Sequence, residues 1–155
     1  MKLWVMAGVL VMVLALSMVT VTGSMASKAQ DVIQLEAPYP HTKGGVTFSH
    51  KKHNVDYKIS CGECHHDDQG KPLTNLKDGD AVKKCFECHK KPGEIKGKEA
   101  KGLSDKEKLA YHANAMHENC VGCHKKFNKE KNSKAAPQQC KDCHPKDKDK
   151  DKDKD

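Results

Sequence analysis

The sequence predicts a small fold, mostly α-helical and irregular, with a short two-stranded β ribbon and a core not built from aliphatic side chains. The chain has 155 residues, which allows one domain or at most two small ones. Beyond residue 26, only 16 of 129 residues are Leu, Ile, Val or Phe, and this share of about 12% is typical of chains too polar to fold alone. Eight Cys and ten His offer another way to fill a core.

Residues 1–26 have the pattern of an export signal peptide. Lys2 gives a positive start, residues 3–21 form an uncharged apolar run, and small residues around Ala26 indicate a cleavage point. A retained transmembrane anchor is the alternative, because the run approaches the roughly 20 residues that span a bilayer. Under both interpretations residues 27 onward leave the cytoplasm.

Residues 27–144 are predicted to form one domain with little regular structure. Residues 32–35 and 46–48 can pair as a short hairpin, with Gly44-Gly45 in the loop between them. Ser104-Asp105-Lys106-Glu107 is a capping box, which predicts the start of a helix. Helical spacing then relates Leu109, His112, Ala113, Met116 and His117. After Pro145, residues 146–155 alternate Lys and Asp, which predicts a disordered tail over residues 145–155.

The eight cysteines form four pairs with two intervening residues, and a histidine follows each pair directly. The pairs are Cys61/Cys64, Cys85/Cys88, Cys120/Cys123 and Cys140/Cys143, followed by His65, His89, His124 and His144. This CxxCH pattern is the covalent attachment signature of c-type haem. Two thiols bond to the porphyrin, and the adjacent histidine can reach the iron from the same face. The motifs therefore predict four covalently attached c-type haems, which would form the core of the domain.

Zinc and disulfides are the alternatives for these cysteines. Twenty residues separate the first pair from the second and sixteen separate the third from the fourth, which is close to the spacing of a zinc-binding structural module. An oxidising compartment would favour disulfides. Neither alternative gives a role to the four histidines, so we favour haem.

Each iron also needs a second axial ligand. Met116 is the only methionine after residue 26, so methionine cannot serve four irons. Six histidines lie outside the motifs, and four of them suffice: His41, His50, His53, His66, His112 and His117. Imidazole on both faces leaves no open position for a substrate, which indicates an electron carrier and not an enzyme. Bis-imidazole ligation lacks the potential-raising effect of methionine, and so little polypeptide per haem leaves the haem edges partly wet, so the reduction potentials are expected to be low.

The order of several of these residues along the chain is a further feature of the sequence. Phe48-Ser49-His50 and His53 precede a first motif that ends in His65-His66, and Met116-His117 precedes the third motif. In this order the chain resembles the tetrahaem cytochrome c3 family, the class III c-type cytochromes of sulfate-reducing bacteria. The resemblance implies that the second ligands of the first to fourth haems are His50, His66, His53 and His117. His112 stays the alternative to His117, and His41 is expected to lie in a loop.

Two spacings would tie three of these haems together. His65 and His66 are neighbours, about 3.8 Å apart at their α-carbons, and they are expected to bind different irons. His50 and His53 lie three residues apart, within one helical turn, and are also expected to bind different irons. Electron transfer between these three haems should therefore be short-range.

The charge distribution suggests a protein partner. The exported chain has 27 Lys and no Arg against 21 acidic residues, and export makes nucleic acid a poor explanation. Six lysines crowd the region from the third to the fourth motif: Lys125, Lys126, Lys129, Lys131, Lys134 and Lys141. They form either a solvated face or a positive collar that attracts an acidic redox partner.

The family resemblance makes the functional prediction more specific. It implies electron exchange with hydrogenase or another periplasmic cytochrome and with a membrane-bound multihaem redox complex, in anaerobic sulfate respiration with coupled proton uptake. All four motifs here are CxxCH, whereas many family members have CxxxxCH at the second and fourth, and we favour the type II subgroup. A haem-edge reductase of metal ions or oxyanions is the alternative.

Overall fold

A computed structural model describes residues 28–145. Over this range the chain forms short helices joined by irregular segments and one small antiparallel sheet. The predicted signal peptide and the Lys/Asp repeat after Pro145 lie outside the described residues, and both stay predictions. Within residues 28–145, no helix is long and apolar enough to cross a membrane.

The predicted ribbon is confirmed. Strand β1 (Ile33–Leu35) pairs with strand β2 (Val46–Phe48), with Ile33 opposite Phe48 and Leu35 opposite Val46. The hydroxyl of Thr47 donates to the Gln34 side chain at 3.1 Å across the more exposed face of this pair. The ribbon therefore turns Phe48, which immediately precedes the His50 and His53 segment, toward the less exposed side.

Five short α-helices follow the ribbon. They are α1 (Cys85–Cys88), α2 (Asp105–Leu109), α3 (His112–His117), α4 (Cys123–Glu130) and α5 (Cys140–Cys143). Two π-helical turns cover Lys52–Asp56 and Glu118–Gly122, and a 3₁₀ turn covers Cys61–Glu63. The small, mostly α-helical and irregular fold class is thus confirmed.

Three attachment motifs each form a single helical turn. In the first, second and fourth motifs, the backbone N–H of the histidine donates to the carbonyl of the first cysteine, at 2.8, 2.9 and 2.8 Å. Residues four apart in a helical turn lie on the same side of it. The CxxCH spacing therefore brings the first cysteine and the histidine to one face.

The capping box is present, but the helix that follows it is interrupted. Ser104 Oγ accepts from the Glu107 N–H at 3.3 Å, and Glu107 Oε2 accepts from the Ser104 N–H at 2.8 Å. The helix ends at Leu109 and a second one begins at His112, because Tyr111 is extended with φ −82° and ψ 127°. Tyr111 there forms a parallel bridge with Lys91. The expectation of one uninterrupted helix was wrong at this point.

Beyond Tyr111, α3, the π-turn Glu118–Gly122 and α4 continue without a break from residue 112 to residue 130. The third attachment motif lies in this continuous helical segment, with Cys120 in the π-turn and Cys123 at the start of α4. Wider turns of this kind are often found at functional sites.

The polypeptide itself supplies almost no core. Among residues 28–145, only Ala115 and Asn128 are buried, with 9% and 8% of their surface exposed. This agrees with the low content of large aliphatic side chains. A core formed by four haems stays a prediction.

Candidate haem-binding site

Histidine rings from distant parts of the chain lie in pairs at similar separations. The ring centroids of His66 and His89 are 5.8 Å apart, those of His53 and His124 are 6.2 Å apart, and those of His117 and His144 are 6.3 Å apart. An iron about 2 Å from a nitrogen of each ring, the usual distance from a metal ion to histidine, would separate the centroids by roughly 6.3 Å. The spacing of all three pairs fits one iron between two imidazoles.

For the fourth pair expected from the resemblance, His50 with His65, the structure shows an electrostatic effect of one ring on the other. Burial lowers the pKa of His65, and the nearby His50 and His66 lower the pKa further. A lowered pKa favours neutral imidazole, which is the form that ligates metals.

Hydrogen bonds at Nδ1 orient most of these rings. Five of them donate to backbone carbonyls: His53 to Ser49 at 2.9 Å, His66 to Asp67 at 2.8 Å, His89 to Leu109 at 2.5 Å, His124 to Pro137 at 2.7 Å and His144 to Gly44 at 2.7 Å. Because a carbonyl can only accept, Nδ1 carries the proton and Nε2 is left available for iron. Ring orientation and tautomer both fit axial ligation.

His117 has a different acceptor. Its Nδ1 lies 3.3 Å from Oε1 of Glu94, whose other oxygen is bound by the Lys96 ammonium at 2.8 Å. The hydrogen bond from Lys96 is the largest of the effects that lower the pKa of Glu94. Glu94 is therefore an ionised carboxylate at neutral pH.

The two remaining histidines lie in other surroundings. The Nδ1 of His112 lies 3.1 Å from the Tyr39 hydroxyl, and its ring packs edge-on against Tyr39 and Phe86. The Nδ1 of His41 donates to the Tyr39 carbonyl at 2.7 Å in an exposed loop.

No disulfide joins any of the eight cysteines, all of which lie within the described residues. Before haem attachment, burial, followed by the nearby Cys64 and Cys85, raises the pKa of the Cys120 thiol to about 11. Within residues 28–145, no three or more His, Cys, Asp or Glu side chains cluster as a metal site would require. The cysteines are thus neither paired as disulfides nor gathered as the four thiolates of a structural zinc site.

A cavity and a charged helix face lie near His117. The cavity, of about 360 Å³, is lined by Glu94, Asn114, His117, Glu118, Val121, Gly122 and Lys125. Every lysine of the predicted collar is exposed, and Lys125, Lys126 and Lys129 lie on α4. The collar therefore begins at the edge of this cavity.

Residues 25–144 match the model of the Class III cytochrome C family, and this stretch contains all four attachment motifs. The chain belongs to the class III cytochrome c family. Cytochrome c3 of Desulfovibrio desulfuricans is 32% identical over 120 residues, which cover 76% of this chain and 95% of that relative. Cytochrome c3 of Nitratidesulfovibrio vulgaris is 36% identical over 84 residues, which cover 53% of this chain and 48% of that relative. No solved structure matches the chain.

Membership decides between the interpretations of the cysteine motifs. Class III cytochromes c carry four covalently bound c-type haems, which confirms the predicted cofactors and the cytochrome c3 resemblance. The family consists of electron-transfer proteins, and this class III cytochrome is a multihaem electron carrier.

Inspection of the sequence missed the groups that orient the histidines. Most are backbone carbonyls, which every residue has, so no residue type indicates them. Glu94, Asn114 and Asn128 also escaped notice, because the groups they bond, on His117, Ile95 and Ala136, are brought to them by the fold and not by a sequence motif. The only sequence feature that could have indicated these three residues is that each has a polar side chain able to form hydrogen bonds.

Proposed function

We propose that the protein is a periplasmic, low-potential electron carrier whose four haems are each held by two cysteines and two histidines. The proposed axial pairs of the first to fourth haems are His65 and His50, His89 and His66, His124 and His53, and His144 and His117. The observation that carries this proposal is that, in three of these pairs, the distance between the two ring centroids is close to that expected for an iron bound between two imidazoles. When bound, each haem supplies a reversible one-electron change at iron.

The polypeptide would fill both axial positions of each iron and keep the haems near one another. Two imidazoles per iron leave no coordination position for a substrate, which supports electron transfer over catalysis. Phe48 packs against both His50 and His53, with ring centroids 6.0 and 4.7 Å apart. One aromatic side chain thus steadies two histidines that we assign to different haems.

The partners follow from the surface and from the family. Exposed lysines on and after α4 favour an acidic redox partner. The resemblance implies hydrogenase or another periplasmic cytochrome on one side and a membrane-bound multihaem redox complex on the other, in sulfate respiration. Four CxxCH motifs support assignment to the type II subgroup.

Proton uptake is proposed to accompany reduction. Each electron adds a negative charge beside the haem propionates, which favours binding of a proton. Reduction potentials that stay constant across the neutral pH range would contradict this coupling.

A redox titration followed by NMR tests the ligand assignment. The holoprotein should show four low-spin haems without a methionine ligand. In H66M, we expect methionine to replace imidazole at the second haem, and its potential to rise by on the order of 0.1 V within the roughly 0.8 V range that axial ligands span. The matched control is H41M, which changes an exposed loop histidine and should leave all four potentials in place. Four unchanged bis-histidine haems in H66M would show that His66 is not a ligand.

A further inference from the structure

We propose that Glu94 is a positioning residue that lowers the reduction potential of the iron bound by His117, through the hydrogen bond from His117 Nδ1 to the Glu94 carboxylate. This inference rests on the proposed ligation of the fourth haem by His117 and His144. It starts from a difference between ligands: five proposed axial histidines donate to neutral carbonyls, and His117 donates to a charged group.

The backbone around Glu94 is fixed to the start of α3. The Lys91 N–H donates to the Ala110 carbonyl at 3.0 Å, and the Lys91 carbonyl accepts from the His112 N–H at 2.8 Å. Two residues further on, the Gly93 carbonyl accepts from the Ala113 N–H at 3.0 Å. Residues 91–93 therefore run beside the same helix that carries His117.

Asn114 extends this attachment past Glu94. Its Oδ1 accepts from the Ile95 N–H at 2.8 Å, and its Nδ2 donates to the Ile95 carbonyl at 3.0 Å. Glu94 is thus held by bonds at Gly93 and at Ile95. The backbone on both sides of the carboxylate that meets His117 is therefore held in place.

The charge of Glu94 is retained close to the ring. Its side chain is 33% exposed, so water and ions screen the carboxylate only in part. Lys96 binds Oε2, whereas His117 faces Oε1, so the two partners do not compete for one oxygen. Lys96 is itself 79% exposed, and it neutralises the carboxylate only in part.

A carboxylate acceptor changes what the histidine offers to iron. A hydrogen bond to an anion makes the imidazole more basic and increases the electron density that Nε2 donates. This stabilises the oxidised iron, which carries one more positive charge, relative to the reduced iron. One electron is exchanged at the iron, and the Nδ1 proton stays on His117 throughout.

Glu94→Gln separates charge from shape. Glutamine keeps an oxygen that can accept from His117, but it removes the negative charge. In the complete holoprotein we expect the constant for one-electron reduction at the fourth motif to rise about tenfold, which corresponds to about 59 mV. Haem-resolved NMR titration should show smaller shifts at the other three haems.

Glu118→Gln is the matched control, because Glu118 lines the same cavity and loses the same charge without being the acceptor of His117. Equal shifts in E94Q and E118Q would reduce the effect to general electrostatics and overturn the inference. No shift in E94Q would overturn it as well.

Two further measurements make the test complete. In wild-type holoprotein labelled with ¹⁵N-histidine, the Nδ1 of His117 should be shifted from those of the five carbonyl-bonded histidines; coincident resonances count against the inference even if E94Q fails to fold. H117M should place a methionine signature at the fourth motif. If it does not, the assignment of His117 as a ligand is wrong. If H117M does show the methionine signature but the fourth-haem potential of E94Q is unchanged, only the role of Glu94 is removed.

Discussion

Asn128 is hydrogen-bonded to Ala136 in both directions, as one strand is to another. Its Nδ2 donates to the Ala136 carbonyl at 2.8 Å, and its Oδ1 accepts from the Ala136 N–H at 3.1 Å. The next residue, Pro137, provides the carbonyl that accepts from His124 Nδ1 at 2.7 Å. A buried side chain on α4 thus fixes the acceptor of an attachment-motif histidine on the same helix.

Asn128→Ala should therefore weaken both the fold and the orientation of His124. The change leaves the Ala136 backbone groups without their partners, which costs about 1–3 kcal/mol of unfolding free energy. Denaturant unfolding of the holoprotein measures this loss, and NMR should show the third haem more strongly perturbed than the others. Asn75→Ala, at an exposed asparagine, is the control and should be neutral. A uniform perturbation of all haems would contradict a specific role at His124.

The sequence predicted the parts of this molecule that depend on short spacings. The CxxCH turns, the ribbon at Val46–Phe48 and the capping box at Ser104 each involve residues whose geometry is set by their near neighbours. The break at Tyr111 was not predictable in this way, because its cause is a bridge to Lys91, twenty residues earlier in the chain.

The same distinction applies to the candidate site. The sequence was sufficient to predict which histidines are candidate iron ligands and how many are needed, since each haem iron requires two axial ligands of particular residue types. The acceptor of His144 is the carbonyl of Gly44, one hundred residues away, and the acceptor of His117 is Glu94. Such partners depend on how the chain folds back on itself, which periodicity alone does not report.

The haem-free chain should not fold cooperatively. Only two side chains in the described part of the molecule are buried, so the polypeptide gains little free energy from its own packing. We expect a chain with all eight cysteines changed to serine to show no sigmoidal thermal transition by circular dichroism, while the holoprotein shows one. Small metal domains behave in this way without their ion. A cooperative transition in the haem-free chain would mean that the helices form a core by themselves.

Charge reversal in the lysine collar should slow electron transfer to an acidic partner. Lys126→Glu and Lys129→Glu place negative charges on the exposed face of α4, where they would repel such a partner. Stopped-flow measurements should show a lower association rate, and raising the ionic strength should reduce the wild-type rate toward that of the double variant. The double change Lys98→Glu and Lys101→Glu, at exposed lysines outside the collar, controls for net charge. If the wild-type rate does not depend on salt, the lysines are simply a solvated face.

The capping box makes a pH-dependent contribution to stability whose sign is fixed. Hydrogen bonds from the Ser104 hydroxyl and backbone N–H lower the pKa of Glu107, so the folded state favours the ionised carboxylate. The resulting stabilisation is present at pH values above the unfolded pKa and is lost as the pH falls through the lower folded pKa. Glu107→Gln should therefore destabilise the holoprotein at neutral pH and become nearly neutral in acid. Denaturation curves at a series of pH values measure this difference, with the exposed Glu99→Gln as control. A cost of Glu107→Gln that stays constant into acid would show that the carboxylate charge has no part in the cap.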